Sequence, residues 1–346
     1  MNVRPATERA TSDLTIVGAG PAGLFAAYYA GFRGLSVTLV DAQSHVGGQI
    51  SALYPAKNIH DVAGFPNVSG AELVRRLLDQ ASVYGPQIVL GRQVVDLAHD
   101  EPGSDLAVTL DDGTTIPSHA VILATGVGGI RVRTLPVGDE WRGRGVAYLV
   151  PDPEAHRDED VVIVGGGDSA LDWALQLQPI ARAVTVIHRR RTFRAHAASL
   201  SRAADVGIEL LTECEVGAVR GDKRVTSVLI RNASGSRREI PADTVVGALG
   251  MISAPSPFAA WGIEVQDRHL PVDSTMSTNV SGVFAIGDVS TYRGKIALIA
   301  TGFGEAATAV NNVAVRISPC EPLAPGHSTD EAVAPLESAR RGVVTA

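Results

Sequence analysis

Two glycine-rich runs in this chain lead into opposite charges. The first is Gly18-Ala19-Gly20-Pro21-Ala22-Gly23, and an acidic residue, Asp41, stands about 20 residues further on. The second is Gly165-Gly166-Gly167-Asp168-Ser169-Ala170, and the corresponding stretch after it reads His188-Arg189-Arg190-Arg191, with Arg194 close behind. Glycines at such a turn let backbone N–H groups approach a pyrophosphate, and the helix that follows adds partial positive charge. A carboxylate at the end of the next strand suits a bare ribose hydroxyl. Guanidinium groups there suit a ribose carrying a 2′-phosphate, which a carboxylate would repel. A single glycine turn or charge run is common surface chemistry. The pair, each between a strand and a helix, implies two different dinucleotides on one chain and electrons passing between them.

The elements that must hold these turns follow from the pattern. Leu14–Val17 reads as a buried strand, Pro21–Phe32 as a buried helix with proline in its first turn, and Ser36–Val40 as the strand that carries Asp41. The apolar run Leu14–Phe32 has the length of a signal segment. Its internal Gly18, Gly20, Pro21 and Gly23 and its mixed-charge approach argue against one. Gly70–Tyr84 reads as an amphipathic helix, Asp111-Asp112-Gly113 as a hairpin turn, and Ala120–Ala124 as a further strand. Gly126–Gly145, rich in Gly, Arg and Pro, reads as a hinge. The second glycine unit runs from Asp160 to Gly250. The chain then returns to a strand-to-turn element, Gly282–Asp288, and a helical segment, Gly304–Val315, before a Pro- and Ala-rich tail from Pro319. The expected fold is α/β, with two Rossmann-like domains of three-layer ββα type. One spans residues 1–128 plus 252–346, and the other, 129–251, is inserted into it.

Bulk properties narrow the function. The 346 residues suffice for two domains, and 45% are apolar. A net charge of −7 gives no reason to expect nucleic acid. Cys214 and Cys320 form no paired motif and no metal-ligand spacing, so no metal is expected. No stretch is apolar enough to span a bilayer, so the expectation is a cytoplasmic protein without membrane contact.

Two further elements carry chemistry. Gly282-Val-Phe-Ala-Ile-Gly-Asp288 resembles the flavin-contacting segment of two-dinucleotide-domain flavoproteins, whose terminal Asp binds the ribityl chain. Gly47-Gly48-Gln49 followed by Tyr54 supplies an amide able to bond a pyrimidine edge and an aromatic able to stack.

Taken together, GGQISALYPAKNIHDVAGFP (47–66), GGGDSALDWAL (165–175), HRRRTFRAH (188–196) and GDVSTYRGKIALIATGFGEAATAVNN (287–312) resemble the thioredoxin-reductase-like ferredoxin (flavodoxin)–NADP reductases, as does His327-Ser328-Thr329. The resemblance spans about Leu14 to Thr329. It implies an FAD-dependent ferredoxin–NADP(+) reductase, a homodimer, with ferredoxin or flavodoxin as electron partner and NADP(H) as second cofactor. For FAD it implies Gly18, Gly20, Ala22, Gly23, Asp41, Gln49, Tyr54, Val94, Ile130, Asp288 and Thr329. Tyr54 and His327 would cover opposite flavin faces, with His327 coming from the partner subunit and no obligatory acid or base. For NADP it implies Gly165, Gly167, Asp168, Ser169, His188, Arg189, Arg190 and Arg194. Ile130 departs from the family, which often has an aromatic residue there.

Thioredoxin reductase shares the fold, but its dithiol would fall near Gly145–Asp152, where this chain has no cysteine. An NADPH-dependent diaphorase or quinone reductase and a non-enzymatic redox-responsive flavoprotein remain the alternatives. Lys57, Arg131, Arg133, Arg142 and Arg144 are the basic residues offered as a docking patch for an acidic ferredoxin.

Overall fold

Short valine- and isoleucine-rich runs separated by glycine turns build parallel strands covered on both faces. The computed structural model describes residues 11–99, 105–128, 130–253, 257–326 and 344–345. The chain opens with β1 (Ser12–Val17), α1 (Pro21–Phe32), β2 (Val37–Asp41), α2 (Gly48–Leu53) and α3 (Gly70–Ser82). It continues through β3 (Gln87–Leu90), β4 (Val94–His99), β5 (Leu106–Leu110) and β6 (Thr115–Leu123). Next come β7 (Ile130–Val132), β8 (Val146–Ala147), β9 (Asp160–Gly165), α4 (Asp168–Leu177), β10 (Ala183–His188) and α5 (Ala197–Asp205). Strands β11 (Glu209–Thr212), β12 (Cys214–Gly221), β13 (Val225–Asn232), β14 (Arg237–Pro241), β15 (Thr244–Ala248) and β16 (Met251–Ser253) follow, then β17 (Val283–Ala285), α6 (Ile299–Ile317) and β18 (Val344–Thr345). Two compact units result, one of Met1–Gly129 with Pro255–Ala346, the other Ile130–Ala254.

In the first unit the sheet order is β18-β3-β2-β1-β6-β5-β4, with β17 beside the end of β6. Strand β6 has two partners on one side. Thr115–Ser118 pairs antiparallel with β5, and Val121–Leu123 pairs parallel with β17. The hairpin expected at Asp111-Asp112-Gly113 is the β5–β6 turn. One sheet face packs Ile16, Leu39 and Ile122 against α1, α3 and α6. The other packs Val17, Val40 and Leu123 against Leu97, Val108, Phe258 and Trp261. Ala26, Ala27 and Ala30 are wholly buried on α1, and their small side chains let the helix lie close to its neighbours. Between strands, four buried hydroxyls pair, Ser12 with Thr38 at 2.7 Å and Thr15 with Ser118 at 2.5 Å, so each of these has a partner.

The second unit carries the parallel sheet β8-β15-β9-β10-β11. Helices α4 and α5 cover one face through Leu171, Trp173, Leu177 and Ala203. The antiparallel meander β12-β13-β14 covers the other through Val216, Val228 and Ile240. That is a ββα stack of three layers.

Within Gly126–Gly145, β7 pairs antiparallel with β16, a short helical turn covers Asp139–Trp141, and Leu135 is buried. Two expectations change. Helix α6 starts at Ile299, five residues before the expected Gly304, because glycine at 302 and 304 costs less than the packing of this helix returns. At the chain end, Val344–Thr345 adds an edge strand to β3 rather than leaving the whole tail irregular. Among the described residues, no helix is long and apolar enough to cross a membrane.

Candidate dinucleotide sites

The first turn joins β1 to α1. Gly18 has φ +110°, and a Cβ there would lie 2.4 Å from the Ala124 carbonyl oxygen. The Gly18 N–H donates to the Val40 carbonyl (2.7 Å) and the Ala124 N–H to the Val17 carbonyl (2.8 Å), which locks the turn between β2 and β6. Gly20 caps α1 in extended conformation, with open space where a Cβ would stand. Gly23 packs on Gly18 so tightly that no side chain fits. Asp41 ends β2 beside this turn. Its carboxylate accepts from the Ala19 N–H (2.7 Å) and the Gln43 N–H (2.8 Å). Burial pushes its pKa up against the opposing pull of those two bonds.

Three other segments converge on the same turn. Gly48 approaches the Gly20 Cα, and Gln49 Nε2 lies beside Gly126, so α2 and the end of β6 sit at its lip. Ala22 meets both Gly287 and Gly302, which brings the turn after β17 and the start of α6 against α1. Tyr54 is half-buried, and its hydroxyl pKa is raised by burial and then by the carboxylates of Asp288 and Asp61. The Asp288 carboxylate has no protein hydrogen-bond or ion-pair partner among the described residues. Thr125 Oγ1 is buried and equally without one. These free acceptors and an orphaned hydroxyl around an open glycine turn fit a polyhydroxylated dinucleotide such as FAD. Val94 opens β4 with its side chain in the core, so only its main chain can serve a ligand. Ile130 opens β7 in the second unit. His327 and Thr329 lie outside the described residues.

Sequence reasoning passed over Thr125, Tyr292, Lys295 and Glu305. Glu305 accepts from the Gly287 N–H (2.7 Å) and the Tyr292 hydroxyl (2.7 Å) and pairs with Lys295. Burial and then the Glu305 carboxylate push Tyr292 up to about 12. A charged residue inside the otherwise apolar α6 face was the available signal.

The second turn joins β9 to α4. Gly167 caps α4 in extended conformation. Gly166 cannot carry a side chain, since a Cβ would lie 2.2 Å from the His188 ring. The loop after β10 folds back over this turn. The Arg194 and Ala195 N–H groups donate to the Gly166 carbonyl (2.7 and 3.2 Å), and the His196 N–H donates to Asp168 Oδ1 (2.9 Å). Ser169 is exposed on the first turn of α4. His188 is buried, bonds the Thr192 carbonyl through Nε2 (3.1 Å) and stacks on Phe193. Burial depresses its pKa, opposed by the Thr192 bond, with the nearby arginines adding to the depression. His188 thus shapes the loop as a neutral ring. Arg189, Arg190, Arg191 and Arg194 are exposed, and none has an ion-pair partner among the described residues. Arg182, by contrast, pairs with both Asp160 and Asp243. Four unneutralised guanidiniums beside a helix N-terminus suit a second, phosphorylated dinucleotide.

Over residues 12–311 the sequence matches the family described as pyridine nucleotide-disulphide oxidoreductase. The chain belongs to that family. A protein named ferredoxin–NADP reductase from Saccharopolyspora erythraea is 50% identical over 319 residues, covering 92% of this chain and 97% of that protein. One of the same name from Thermus thermophilus is 44% identical over 328 residues, covering 93% and 97%. Among solved structures, the thioredoxin reductase of T. acidophilum matches with a TM-score of 0.72 at 28% identity, over 88% of this chain and 98% of that one. That of Lactococcus lactis gives 0.72 at 26%, over 89% and 100%.

Where a redox dithiol would stand, this member of the family builds ordinary structure. Val146–Ala147 forms β8, and the Tyr148 hydroxyl donates to Asp139 (2.6 Å) and accepts from the Leu135 N–H (3.0 Å). Burial and the Asp139 bond push Tyr148 up to about 12. Cys214 is buried in β12 and Cys320 is exposed in the other unit, with no disulfide between them. Among the described residues no cluster suits a metal ion.

Two predictions follow from the second turn. Gly166→Ala should displace the His188 ring and weaken pyridine-nucleotide binding by about tenfold or more while flavin content stays at the wild-type level. Nucleotide titration against flavin absorbance checks this, and unchanged nucleotide affinity would refute it. The depressed His188 pKa makes the unfolded chain bind the proton first, so its contribution is complete above the usual imidazole range and is lost as pH falls through that range. The thermal midpoint should therefore fall between about pH 7.5 and about pH 5.5. His188→Gln should flatten that fall, and an identical slope in the variant would show another group to be responsible.

Proposed function

We propose that this protein is a ferredoxin (or flavodoxin)–NADP(+) oxidoreductase, with FAD on the first unit and NADP(H) on the second. The observation that carries the assignment of sites is the contrast at the two strand ends, a carboxylate at Asp41 and four free guanidiniums after His188. Bound FAD would supply the redox chemistry, accepting hydride from NADPH at flavin N5 and releasing electrons singly to the protein acceptor.

The chain's own residues bind and orient. The Gly18–Gly23 turn and the N-terminus of α1 receive the FAD pyrophosphate, and Asp41 takes its ribose hydroxyls through lone pairs left over from its two backbone bonds. Asp288 and Thr125 offer polar atoms to the ribityl side, Gln49 to the pyrimidine edge, and Tyr54 a ring to stack on. Tyr54 stays protonated at any working pH, because burial and two carboxylates oppose its ionisation. On the second unit Gly165–Gly167 with α4 take the other pyrophosphate, and Arg189, Arg190 and Arg194 the 2′-phosphate. Asp168 and His188 hold the arginine loop over the turn. Tyr54 and His327 cover the flavin faces in this reading, with His327 supplied by the partner subunit of a homodimer in the cytoplasm.

Anaerobic addition of NADPH should bleach the flavin spectrum, and ferredoxin should restore it. Bleaching without reoxidation by ferredoxin or flavodoxin would indicate a diaphorase, and no bleaching a non-enzymatic flavoprotein. Arg189→Ala with Arg190→Ala should raise the KM for NADPH by about tenfold or more and leave that for NADH nearly unchanged. A wild type that prefers NADH would overturn the 2′-phosphate assignment. Light scattering should give the mass of two chains, and a single-chain mass would remove the partner's His327 from the site.

A further inference from the structure

One buried ion pair grips both backbone polar groups of Gly287, its N–H and its carbonyl. The Gly287 N–H donates to Glu305 Oε2 at 2.7 Å, and Lys295 Nζ donates to the Gly287 carbonyl at 3.0 Å. Lys295 also bonds Ser290 Oγ (3.0 Å) and Glu305 itself, the Tyr292 hydroxyl donates to the carboxylate at 2.7 Å, and Ser290 Oγ lies within reach of both Glu305 (3.4 Å) and the Gly287 carbonyl (2.9 Å). The two charged side chains are only 11% and 3% exposed. Burying such a pair is a poor way to gain stability, because desolvation offsets the attraction and apolar residues of like volume do as well or better. The neighbours of Glu305 on α6, Ala306, Ala309 and Val310, are apolar and place no demand for a carboxylate.

What the pair does achieve is geometric. Gly287 has φ +69°, so the chain turns sharply there, and the next residue is Asp288, the carboxylate left without a protein partner among the described residues. With both polar atoms of Gly287 clamped from α6 and from Lys295, the direction in which Asp288 leaves the turn is set. Glu305 also keeps the Lys295 ammonium engaged, so it is not free to neutralise Asp288.

We propose that Lys295 and Glu305 are positioning residues for the flavin: they hold the Gly287 turn so that Asp288 is preorganised as an acceptor for the ribityl hydroxyls. The inference rests on the flavin reading above. Preorganisation shows as slower loss of the ligand, because the ordering cost is met before binding.

The test uses holoenzyme. The rate at which FAD leaves on dilution is followed by flavin fluorescence, the visible circular dichroism of bound flavin reports its surroundings, and far-ultraviolet melting serves as the stability control. Glu305→Gln and Lys295→Met should each speed FAD release by about tenfold or more and change the visible dichroism. Lys295→Arg, which retains the charge, should stay within about threefold of wild type. Should Glu305→Gln not fold, Lys295→Met is read in the same way beside Tyr292→Phe, which leaves the ion pair intact and should speed release less. Release rates and dichroism like wild type in Lys295→Met, even with a lowered melting point, overturn the proposal. So does equal loss in Lys295→Arg and Lys295→Met, which would mean packing alone. A wild-type protein that holds no flavin is a different result and removes the flavin reading itself.

Discussion

A backbone N–H can bond a pyrophosphate only if no side chain stands between them, and that steric condition governs both units. At Gly18 and Gly166 the space a Cβ would need is already taken by the Ala124 carbonyl and the His188 ring. The turns are tight because strands and helices approach closely. That approach depends on buried parallel sheets and, at α1, on alanines where larger residues would force the helix away. Cofactor geometry and core packing are thus the same constraint seen from two sides.

The two turns are alike, and the charge at the following strand end distinguishes them. In the first unit Asp41 is tied down by two backbone bonds and keeps acceptor capacity to spare. In the second, the equivalent strand end is a buried neutral histidine whose ring braces a loop of arginines. The charge is carried by the residues after the strand instead. A chain of net charge −7 keeps those four cations free of internal partners among the described residues, which leaves their field available to a phosphorylated ligand.

Fold and chemistry separate cleanly in this family. The backbone resembles thioredoxin reductases closely enough to match over most of its length, yet the segment where a dithiol would act is filled by Tyr148 and its two hydrogen bonds. The same architecture therefore stands here without a dithiol at that place.

Local pattern made much of this legible. The glycine spacing, the acidic and basic strand ends, helix α1 and the β5–β6 hairpin depend on neighbours within a few residues, so they are visible in the sequence. The amphipathic period of α3 and the missing cysteines are visible in the same way. What only the tertiary structure decided involves residues far apart in the chain. Nothing local indicates that His188 lies against Gly166, that Thr125 is left without a partner beside Gly18, or that Glu305 on a late helix and Lys295 hold the N–H and the carbonyl of Gly287. Buried polar groups are set by which distant atoms can satisfy them, and that information exists only once the chain has folded.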